Sequence, residues 1–539
     1  MHCLNKPLAA DADTGWVQVC ALNDIIPNTG VAALLGTQQI ALFRVGAQSR
    51  VYALSNQDPF SQAYVMSRGI LGDVQGEPVV ASPMYKQHFS LSRGHCLEDP
   101  TQQLQVYPCR IEAGQIWVAP TAKKPYPTAV AQGTEKQKLL LIGNGLAGMR
   151  CLEDLLEMAP DRYEITVIGA EACGNYNRIL LSPVLSGQKK FAEIMLHSAQ
   201  WYRDQGICFI AADPAIKIDR ARKQVQTESG RIVVYDRMIL ATGSHAFLPP
   251  IEGHDLAGVM CFRDIHDVEQ MLDYSQRKKN AVVIGGGLLG LEAAYGLQQR
   301  GMQVTLLHLG DQIMERQLDR QASEHLAQAM RQKGITILTE ADTLACCGTA
   351  GQVEQVLLKD GRRLAADLVV FAVGIRPNIS LAQQAGLRCE RGVLVNDTLQ
   401  TFDPSIYAVG ECIQHRGQTF GLVEPLWGQA FVCASHLAER GSVSFKAATV
   451  PTQLKVSGID VFSAGQIDPS QAHDNIVLND EKRQVYKRII LQEDKVIGAV
   501  LFGDTEDGAW YADLISAQTP IGEIRHKLLF GKEFCASSA

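Results

Sequence analysis

Two segments of the chain share one pattern, an apolar run that ends in closely spaced glycines and continues into apolar positions at helical spacing. The segments read LLLIGNGLAGMRCLEDLL and AVVIGGGLLGLEAAYGL, and they lie about 140 residues apart. Each pattern predicts a strand, a tight turn and a helix, the unit with which dinucleotide-binding folds begin. The glycines of the two turns are Gly143, Gly145 and Gly148, then Gly285, Gly287 and Gly290.

The spacing of these glycines predicts phosphate binding. The first permits the turn, the second lets the backbone approach a pyrophosphate, and the third lets the helix, whose N-terminus faces the phosphates, pack on the strand. After the first unit the strand YEITVIGAE ends at Glu171, where a carboxylate can accept hydrogen bonds from ribose hydroxyls. After the second unit the strand MQVTLLH ends at His308, and no acid stands there. We predict two dinucleotide sites, with His308 as a solvent-facing neighbour of the second ribose.

The chain outside these units shows three other patterns. Over 1–120, short β-type runs such as IALFRV and VYALS alternate with Gly, Pro and Asn, which predicts an all-β domain. The segment 121–137 carries two prolines and no apolar period, which predicts a linker. Over 441–539 short strands return and a final helix follows, which predicts a small α+β domain.

Two later strands reveal a family resemblance. MILATGSHAFLPP leads into Thr242 and Gly243, and TFDPSIYAVGEC leads into Gly410 and Glu411. With the two glycine units, this order resembles the pyridine-nucleotide disulfide oxidoreductase family, flavoproteins with two dinucleotide-binding domains. The resemblance implies an FAD-binding domain in two parts, with an NAD(P)H-binding domain inserted between them. The implied ranges are 138–252 and 373–440 for FAD, and 253–372 for NAD(P)H.

The same resemblance assigns roles to single residues. The stretch YNRILLSPVLSG resembles the ferredoxin- and rubredoxin-reductase branch, in which Arg178 would meet the FAD pyrophosphate. Those relatives often follow Leu-Ser with a lysine, where this chain has Pro183. Glu292 would lie near nicotinamide and flavin, and Glu411 would bond the ribityl chain. No catalytic side chain is expected, because the hydride passes between the cofactors. The full implied FAD set is Gly143, Gly145, Gly148, Glu171, Arg178, Thr242, Gly243, Gly410 and Glu411, and the NAD(P)H set is Gly285, Gly287, Gly290 and His308.

A narrower resemblance is to the flavoprotein part of NADH-dependent nitrite reductase large subunits. IGNGLAG, YNRILLS, GGGLLGLEAA with MERQLD, and QLKVSGIDVFSAG carry it. No CxC or CxxC cluster and no possible sirohaem half follow these motifs. We therefore expect the nitrite-reducing centre on another polypeptide. Because Cys173 is single and Cys346-Cys347 is predicted to lie in a loop, electrons are not expected to leave through a disulfide.

The N-terminal domain resembles the nitrite reductase small subunit, a Rieske-like β-sandwich. A Rieske cluster is held by two thiolates and two imidazoles. The first candidate loop, LSNQDPFSQAYVMSRGIL, has no Cys or His. In the second, ASPMYKQHFSLSRGHCLEDP, Ser82 and Met84 stand at ligand positions, while His88, His95 and Cys96 have the wrong spacing. Since Cys3, Cys20 and Cys109 form no suitable pair either, we expect no iron–sulfur cluster and a docking or scaffolding role.

Composition narrows the class of protein further. With 57 acidic and 50 basic residues the formal charge is −7, and no basic block suggests nucleic acid as a partner. The start of the sequence shows no secretion signal, and no apolar run approaches a membrane helix. Fourteen scattered cysteines favour a reducing cytoplasm.

The function predicted from these features is an FAD-containing, NAD(P)H-oxidising electron-transfer component of assimilatory nitrite reductase. Its partner would be a metalloprotein acceptor, either a sirohaem nitrite reductase or, alternatively, a molybdenum nitrate reductase. Two further alternatives are a ferredoxin- or rubredoxin-type reductase and a non-catalytic flavin redox sensor. The resemblance favours NADH, but His308 is neither the acid of an NADH site nor the arginine of an NADPH site, and Arg316 lies too far along to assign. Trp427 is placed either near the flavin ring or in the core.

Overall fold

The chain divides into two compact units. One is Met1–Lys136 with Ser435–Val443, and the other is Gln137–Ala434 with Ser444–Ala539. A computed structural model describes residues 15–46, 50–74, 76–99, 101–124, 136–440, 443–447, 452–456, 458–468 and 474–536. Cys3 and most of the predicted linker, 125–135, lie outside these residues. Gln137, predicted as the last linker residue, is the first residue of a strand.

The described residues of the N-terminal unit form three antiparallel sheets. Its central strand, Gln38–Val45, is buried continuously from Ile40 to Phe43, because its two faces enter two different cores. Ile40 and Leu42 pack into one cluster, and Ala41 and Phe43 into the other. The strands, in sheet order, are Val17–Ala21, Gln115–Val118 and Cys109–Glu112; Thr29–Leu35, Gln38–Val45, Arg50–Ser55 and Val106–Tyr107; and Ile70–Val74, Glu77–Ala81 and His88–Ser90.

The second unit contains a five-stranded parallel sheet around the first glycine segment. Its central strand, Gln137–Ile142, has four consecutive buried apolar residues, as expected of a parallel strand covered on both faces. An antiparallel three-stranded sheet is attached to it. The parallel strands, in sheet order, are Cys208–Ile210, Tyr163–Ile168, Gln137–Ile142, Arg237–Leu240 and Ile406–Ala408; the attached strands are Ala215–Asp219, Gln224–Thr227 and Ile232–Val234.

An inserted domain repeats this architecture around the second glycine segment. Its parallel strands, in sheet order, are Val259–Cys261, Leu368–Phe371, Asn280–Ile284, Gln303–Leu307 and Thr336–Leu338, beside an antiparallel sheet of Thr343–Thr349, Gln352–Leu358 and Arg363–Ala365. The chain enters and leaves the inserted domain through one two-stranded ribbon, Ser244–Ala246 paired with Ile375–Pro377. Cys346 and Cys347 lie in the strand Thr343–Thr349, so their predicted loop position is wrong.

Helices cover the parallel sheets and join them. Gly296 is required where the helix Leu181–Ser186 meets the helix Leu288–Gln299, because a Cβ atom there would lie 2.7 Å from Cγ of Leu185. Arg300 donates to the carbonyls of Leu185 and Val184 at 2.6 and 3.0 Å and closes this contact. The α-helices of the described residues are Leu146–Met158, Leu181–Ser186, Phe191–Ile194, Ala199–Asp204, Ile265–Arg277, Leu288–Gln299, Arg320–Gln332, Ser380–Gln384, Glu424–Leu437, Gly508–Ala517 and Lys532–Ala536.

The C-terminal part forms a five-stranded antiparallel sheet. It is tied to the inserted domain at Asp319, the N-cap of the helix Arg320–Gln332. The Tyr486 hydroxyl donates to Asp319 at 2.9 Å, and Arg488 lies 3.2 Å from the same carboxylate. The strands are Thr452–Val456, Ile459–Gly465, Lys495–Phe502, Val485–Gln492 and Asp474–Asp480, and a small sheet of Val393–Val395, Ile413–His415 and Gln418–Thr419 precedes them. Among the described residues, no helix has the length and apolar character needed to cross a membrane.

Candidate functional site

The first glycine turn, Gly143 to Gly148, is called the first cradle. Gly143 has φ +106°, and a Cβ atom there would lie 2.1 Å from the carbonyl oxygen of Ala241. Gly148 approaches the same residue, since its Cβ would lie 2.8 Å from that of Ala241. Gly145 differs, because no atom lies within 4 Å of its Cβ position. The turn therefore leaves open space over the N-terminus of the helix Leu146–Met158, as diphosphate binding requires.

The second glycine turn, Gly285 to Gly290, is called the second cradle and has the same geometry. Gly285 has φ +121°, and its Cβ would lie 2.3 Å from the carbonyl oxygen of Ala372. At Gly290 a Cβ would lie 1.9 Å from the Gly285 oxygen, so the helix Leu288–Gln299 can start only with glycine there. Gly287 again has open space. Both cradles thus fit a dinucleotide.

Glu171 lies three residues beyond the strand Tyr163–Ile168 and has two donors. The Tyr176 hydroxyl donates to Oε2 of Glu171 at 2.7 Å, and the Arg178 guanidinium donates to Oε1. Arg178 also stacks on the Tyr176 ring, 4.9 Å from its centroid. Burial raises the pKa of the Tyr176 hydroxyl, which keeps it protonated as a donor. The predicted ribose acid and the predicted pyrophosphate arginine therefore lie side by side.

Glu411 is also held by two donors. Oγ of Ser244 donates to its Oε2 at 2.9 Å, and the Arg263 guanidinium forms an ion pair with it. The preceding Gly410 donates its N–H to Oε1 of Gln429 at 2.7 Å. Arg263 and Gln429 were not predicted, since each is brought to this place from a different helix or loop. The Nε2 of Gln429 is buried with no partner among the described residues, so its N–H groups can donate hydrogen bonds to a ligand at this end of the site.

Two glycines and one threonine are the remaining predicted residues of the first site. Gly410 has φ +95°, and a Cβ there would lie 3.2 Å from Cβ of Ala147, so the strand end that carries Glu411 approaches the first cradle. Gly243 has φ +65° and open space around it. Oγ1 of Thr242 donates to the carbonyl of Asn378 at 2.7 Å and fixes the start of the ribbon.

Glu292 connects the two halves of the second unit. It lies in the second-cradle helix, and Oγ of Ser182, in the helix Leu181–Ser186, donates to its carboxylate at 2.5 Å. Burial raises the pKa of Glu292 to about 7, and the Ser182 hydrogen bond only partly opposes that shift. Pro183 next to Ser182 offers no charge to this carboxyl. A buried acid that titrates near neutral pH is a candidate functional group.

His308 does not face solvent, so that prediction is wrong. The residue is only 9% exposed, and its Nδ1 accepts a hydrogen bond from the N–H of Gly286 at 3.1 Å. Its ring packs against the second cradle and supplies the acceptor that this buried backbone N–H needs. Nε2 lies 2.7 Å from Oε2 of Glu315. Trp427 is 40% exposed, so its predicted alternative as a core residue is wrong as well.

The two candidate cluster loops of the N-terminal unit are joined by a buried hydrogen bond. Oγ of Ser82 donates to Oδ2 of Asp58, and both residues are fully buried. Oδ1 of Asp58 accepts from the N–H of Phe60 at 2.8 Å. Cys96 is buried and its thiol donates to Oε2 of Glu98 at 3.4 Å, and burial raises the pKa of that thiol to about 12. His88 lies 2.5 Å from Glu98 instead of facing a second imidazole.

The fold and the two cradles, each of which fits a dinucleotide, are those of an NAD(P)H oxidoreductase. Residues 137–427, more than half of the chain, match the family described as "Pyridine nucleotide-disulphide oxidoreductase". Residues 451–519 match "Rubredoxin NAD+ reductase C-terminal domain", and residues 15–119 match "Rieske-like [2Fe-2S] domain". The chain therefore belongs to the pyridine nucleotide-disulphide oxidoreductase family. The predicted fold class and the predicted enzyme class, an NAD(P)H oxidoreductase, are confirmed.

Named relatives agree with the predicted resemblance to nitrite reductases. The chain is 46% identical to the "Nitrite reductase [NAD(P)H]" of Bacillus subtilis, over 72% of this chain and 48% of that one. It is 42% identical to the "Assimilatory nitrate reductase electron transfer subunit" of the same organism, over 73% of this chain and 51% of that one. The chain thus spans about half the length of these curated relatives. Among solved structures, NADH:rubredoxin oxidoreductase from Clostridium acetobutylicum superposes with a TM-score of 0.61 at 26% identity, covering 75% of this chain and all of that one.

The prediction that the chain has no iron–sulfur cluster is wrong, because residues 15–119 match a family described as carrying [2Fe-2S]. The residues that the structure describes do not themselves display a donor set of two thiolates and two imidazoles. Within that part of the chain, no group of three or more His, Cys, Asp or Glu side chains is arranged to hold a metal ion. We therefore derive no electron-transfer step through a cluster.

Proposed function

We propose that this protein is the NAD(P)H-oxidising, FAD-containing electron-transfer component of an assimilatory nitrite reductase. The observation that carries this proposal is the Ser182–Glu292 hydrogen bond between the two cradle-bearing parts of one compact unit. It brings the chain that follows the first cradle against the helix that starts at the second. The first cradle would hold a flavin and the second a nicotinamide coenzyme, and this pair joins the parts of the chain that carry them. The relatives named for nitrite reduction and for nitrate-reductase electron transfer support the choice of pathway.

The side chains around the first cradle would bind and orient FAD. The open amides at Gly145 would receive its pyrophosphate, with Arg178 at hand to neutralise charge. Glu171 and Glu411 would accept hydrogen bonds from ribose and ribityl hydroxyls. Bound FAD would supply the redox chemistry, accepting a hydride from the nicotinamide and passing its electrons on. Trp427, being exposed, is free to cover an aromatic ring.

Glu292 would hold a proton near the place of hydride transfer. The pKa of about 7 means that its protonation changes within the working pH range. A neutral Glu292 can donate a hydrogen bond to a carboxamide or flavin oxygen, whereas the ionised form can only accept one. Ser182 fixes the rotamer of that carboxyl from the other half of the unit.

Electrons would leave to a metal centre on a partner protein. We favour a sirohaem nitrite reductase. A molybdenum nitrate reductase is the second candidate, because a relative named as the electron-transfer subunit of assimilatory nitrate reductase matches at nearly the same identity. We also propose a cytoplasmic location, which is supported by thirteen described cysteines that are all free thiols.

The test is reconstitution of electron transfer with purified components. The FAD-loaded full chain is mixed anaerobically with NADH and with either a sirohaem nitrite reductase or a molybdenum nitrate reductase. Ammonium formed from nitrite supports the proposal, and nitrite formed from nitrate supports the second candidate. Turnover with an artificial acceptor alone would indicate a ferredoxin- or rubredoxin-type reductase. A flavin that is reduced by NADH and then stays reduced with every acceptor would indicate a redox sensor.

A further inference from the structure

The imidazole of His308 is fixed between two glycines. A Cβ atom on Gly286 would lie 2.8 Å from Cγ of His308, and a Cβ on Gly310 would lie 3.0 Å from its Nε2. Any side chain at either position would displace the ring. The ring is therefore held in one orientation, directly against the second cradle.

The backbone of the second cradle fixes the tautomer of His308. Because Nδ1 accepts from the N–H of Gly286, it carries the lone pair and the ring proton is on Nε2. That Nε2 is buried, and the carboxylate within its reach is Glu315, at 2.7 Å. No hydrogen bond forms from Nε2 among the described residues, so its approach to Glu315 is a close polar contact. The contact places the Glu315 carboxylate against the His308 ring, and the ring in turn packs against the second cradle.

Glu315 remains available to a ligand. Its side chain is 47% exposed, although one oxygen faces His308. A carboxylate has about four acceptor directions, so the second oxygen can accept two hydroxyl donors. The Arg320 guanidinium is paired with Asp311, and within the described residues no arginine or lysine forms an ion pair with Glu315.

We propose that Glu315 selects NADH over NADPH at the second cradle and that His308 is its positioning residue. This inference depends on the proposed function, because it requires a nicotinamide coenzyme at that cradle. A carboxylate one imidazole away from the glycine turn can accept both hydroxyls of an adenosine ribose. A 2′-phosphate would instead meet that carboxylate with like charge. Glu315 therefore performs the task of the acid that is missing at position 308.

Binding of coenzyme fragments to the FAD-loaded full chain tests this directly. Titration calorimetry compares ADP-ribose with 2′-phospho-ADP-ribose, neither of which can reduce the flavin. We expect the wild type to prefer ADP-ribose by at least about tenfold, as one charge-assisted contact and one repulsion allow. Glu315→Gln should weaken ADP-ribose binding about tenfold and make the affinities for the two ligands nearly equal. Glu324→Gln removes an exposed carboxylate from the helix Arg320–Gln332 and should change neither value.

A second set of variants isolates the role of His308. His308→Ala should lower the NADH preference as Glu315→Gln does, and the double variant should add little, since the two side chains act as one unit. In stopped-flow flavin reduction both variants should raise the NADH concentration for half-maximal rate and leave the limiting rate unchanged. Equal ligand preference in wild type and Glu315→Gln would overturn the inference while leaving the proposed function intact. Tighter binding of 2′-phospho-ADP-ribose by the wild type, lost in Arg316→Gln, would also overturn it. A wild-type flavin that neither NADH nor NADPH reduces would overturn the proposed function as well.

Discussion

The two cradles have the same turn but receive their acids by different routes. At the first, Glu171 follows its strand by three residues and is held by Tyr176 and Arg178. At the second, the acid is Glu315, eight residues beyond the strand Gln303–Leu307, and a buried imidazole lies between it and the turn. The glycine spacing thus determines the backbone of a dinucleotide site but not the side chain that recognises the ribose.

The strongest test of the shared turn compares neighbouring glycines. Gly143→Ala should abolish tight FAD binding, because an L residue at φ +106° is strained by about 3 kcal/mol and its Cβ would also lie 2.1 Å from a carbonyl oxygen. Gly285→Ala should leave the FAD content unchanged and remove NADH-dependent flavin reduction. Flavin absorbance after gel filtration and anaerobic reduction measure the two effects.

The control for these variants is the middle glycine of each cradle. Gly145→Ala and Gly287→Ala meet no atom within 4 Å, so both should fold, and without bound dinucleotide both should keep the wild-type Tm. Each should still weaken its own dinucleotide, because the new methyl group occupies the space left for a pyrophosphate. Full FAD content in Gly143→Ala would show that the two turns are not equivalent.

Glu292 allows a test of the contact between the two halves. Its folded pKa of about 7 lies above the ordinary value of 4.5, so the folded chain binds this proton more tightly than the unfolded chain does. Stability should therefore fall as the pH rises from about 4.5 to about 7, by at most about 3 kcal/mol. Glu292→Gln cannot ionise, so it should be more stable than the wild type at about pH 8 and nearly equal to it at about pH 5. Thermal unfolding across this range measures the difference, and parallel pH profiles for both proteins would refute the buried, titrating acid.

The smallest expected effect is the loss of FAD affinity in Glu171→Gln, and it distinguishes the role of Glu171 from that of Glu315. Glu171→Gln keeps an acceptor for Tyr176 but loses the charge facing Arg178, and both partners are about one-third exposed. Solvent screening limits the loss in FAD affinity to about 1 kcal/mol, or roughly fivefold. Glu171→Gln should not change the affinity for NADH. Glu315→Gln should do the reverse, weakening NADH binding and leaving FAD binding unchanged. Fluorescence titration of flavin release gives the FAD value, and a change in both ligands would mean that the sites are coupled.

The parts of the fold that could be predicted are those encoded in short, contiguous patterns. The glycine turns and the parallel strands follow from spacing along the chain, whereas the bipartite FAD domain is implied by the resemblance to the flavoprotein family. The strand through Cys346 and Cys347 could not be predicted, because TLACCGT has β-branched residues only at its two ends and no aromatic residue. It is held by pairing with Gln352–Leu358.

The missed site residues share a different cause. Arg263 pairs with Glu411 across 148 positions of sequence, and Ser182 meets Glu292 across 110. No local pattern reports such contacts, because they depend on how two domains pack. Glu315 lies within the motif MERQLD, but its role at the second cradle could be inferred only once the structure had shown that His308 is buried.

The ribbon of Ser244–Ala246 and Ile375–Pro377 has a consequence for the modularity of this protein. Ala246 is paired directly with Ile375, so the whole inserted domain begins and ends at a single point of the surrounding chain. A tight two-residue turn could in principle close that point, and another domain could be grafted onto it. What restricts such exchange is the fit of Leu185 against Gly296. A replacement domain would have to present a glycine or an equally small residue there. Otherwise the apolar side of Leu181–Ser186 would be exposed and would promote aggregation.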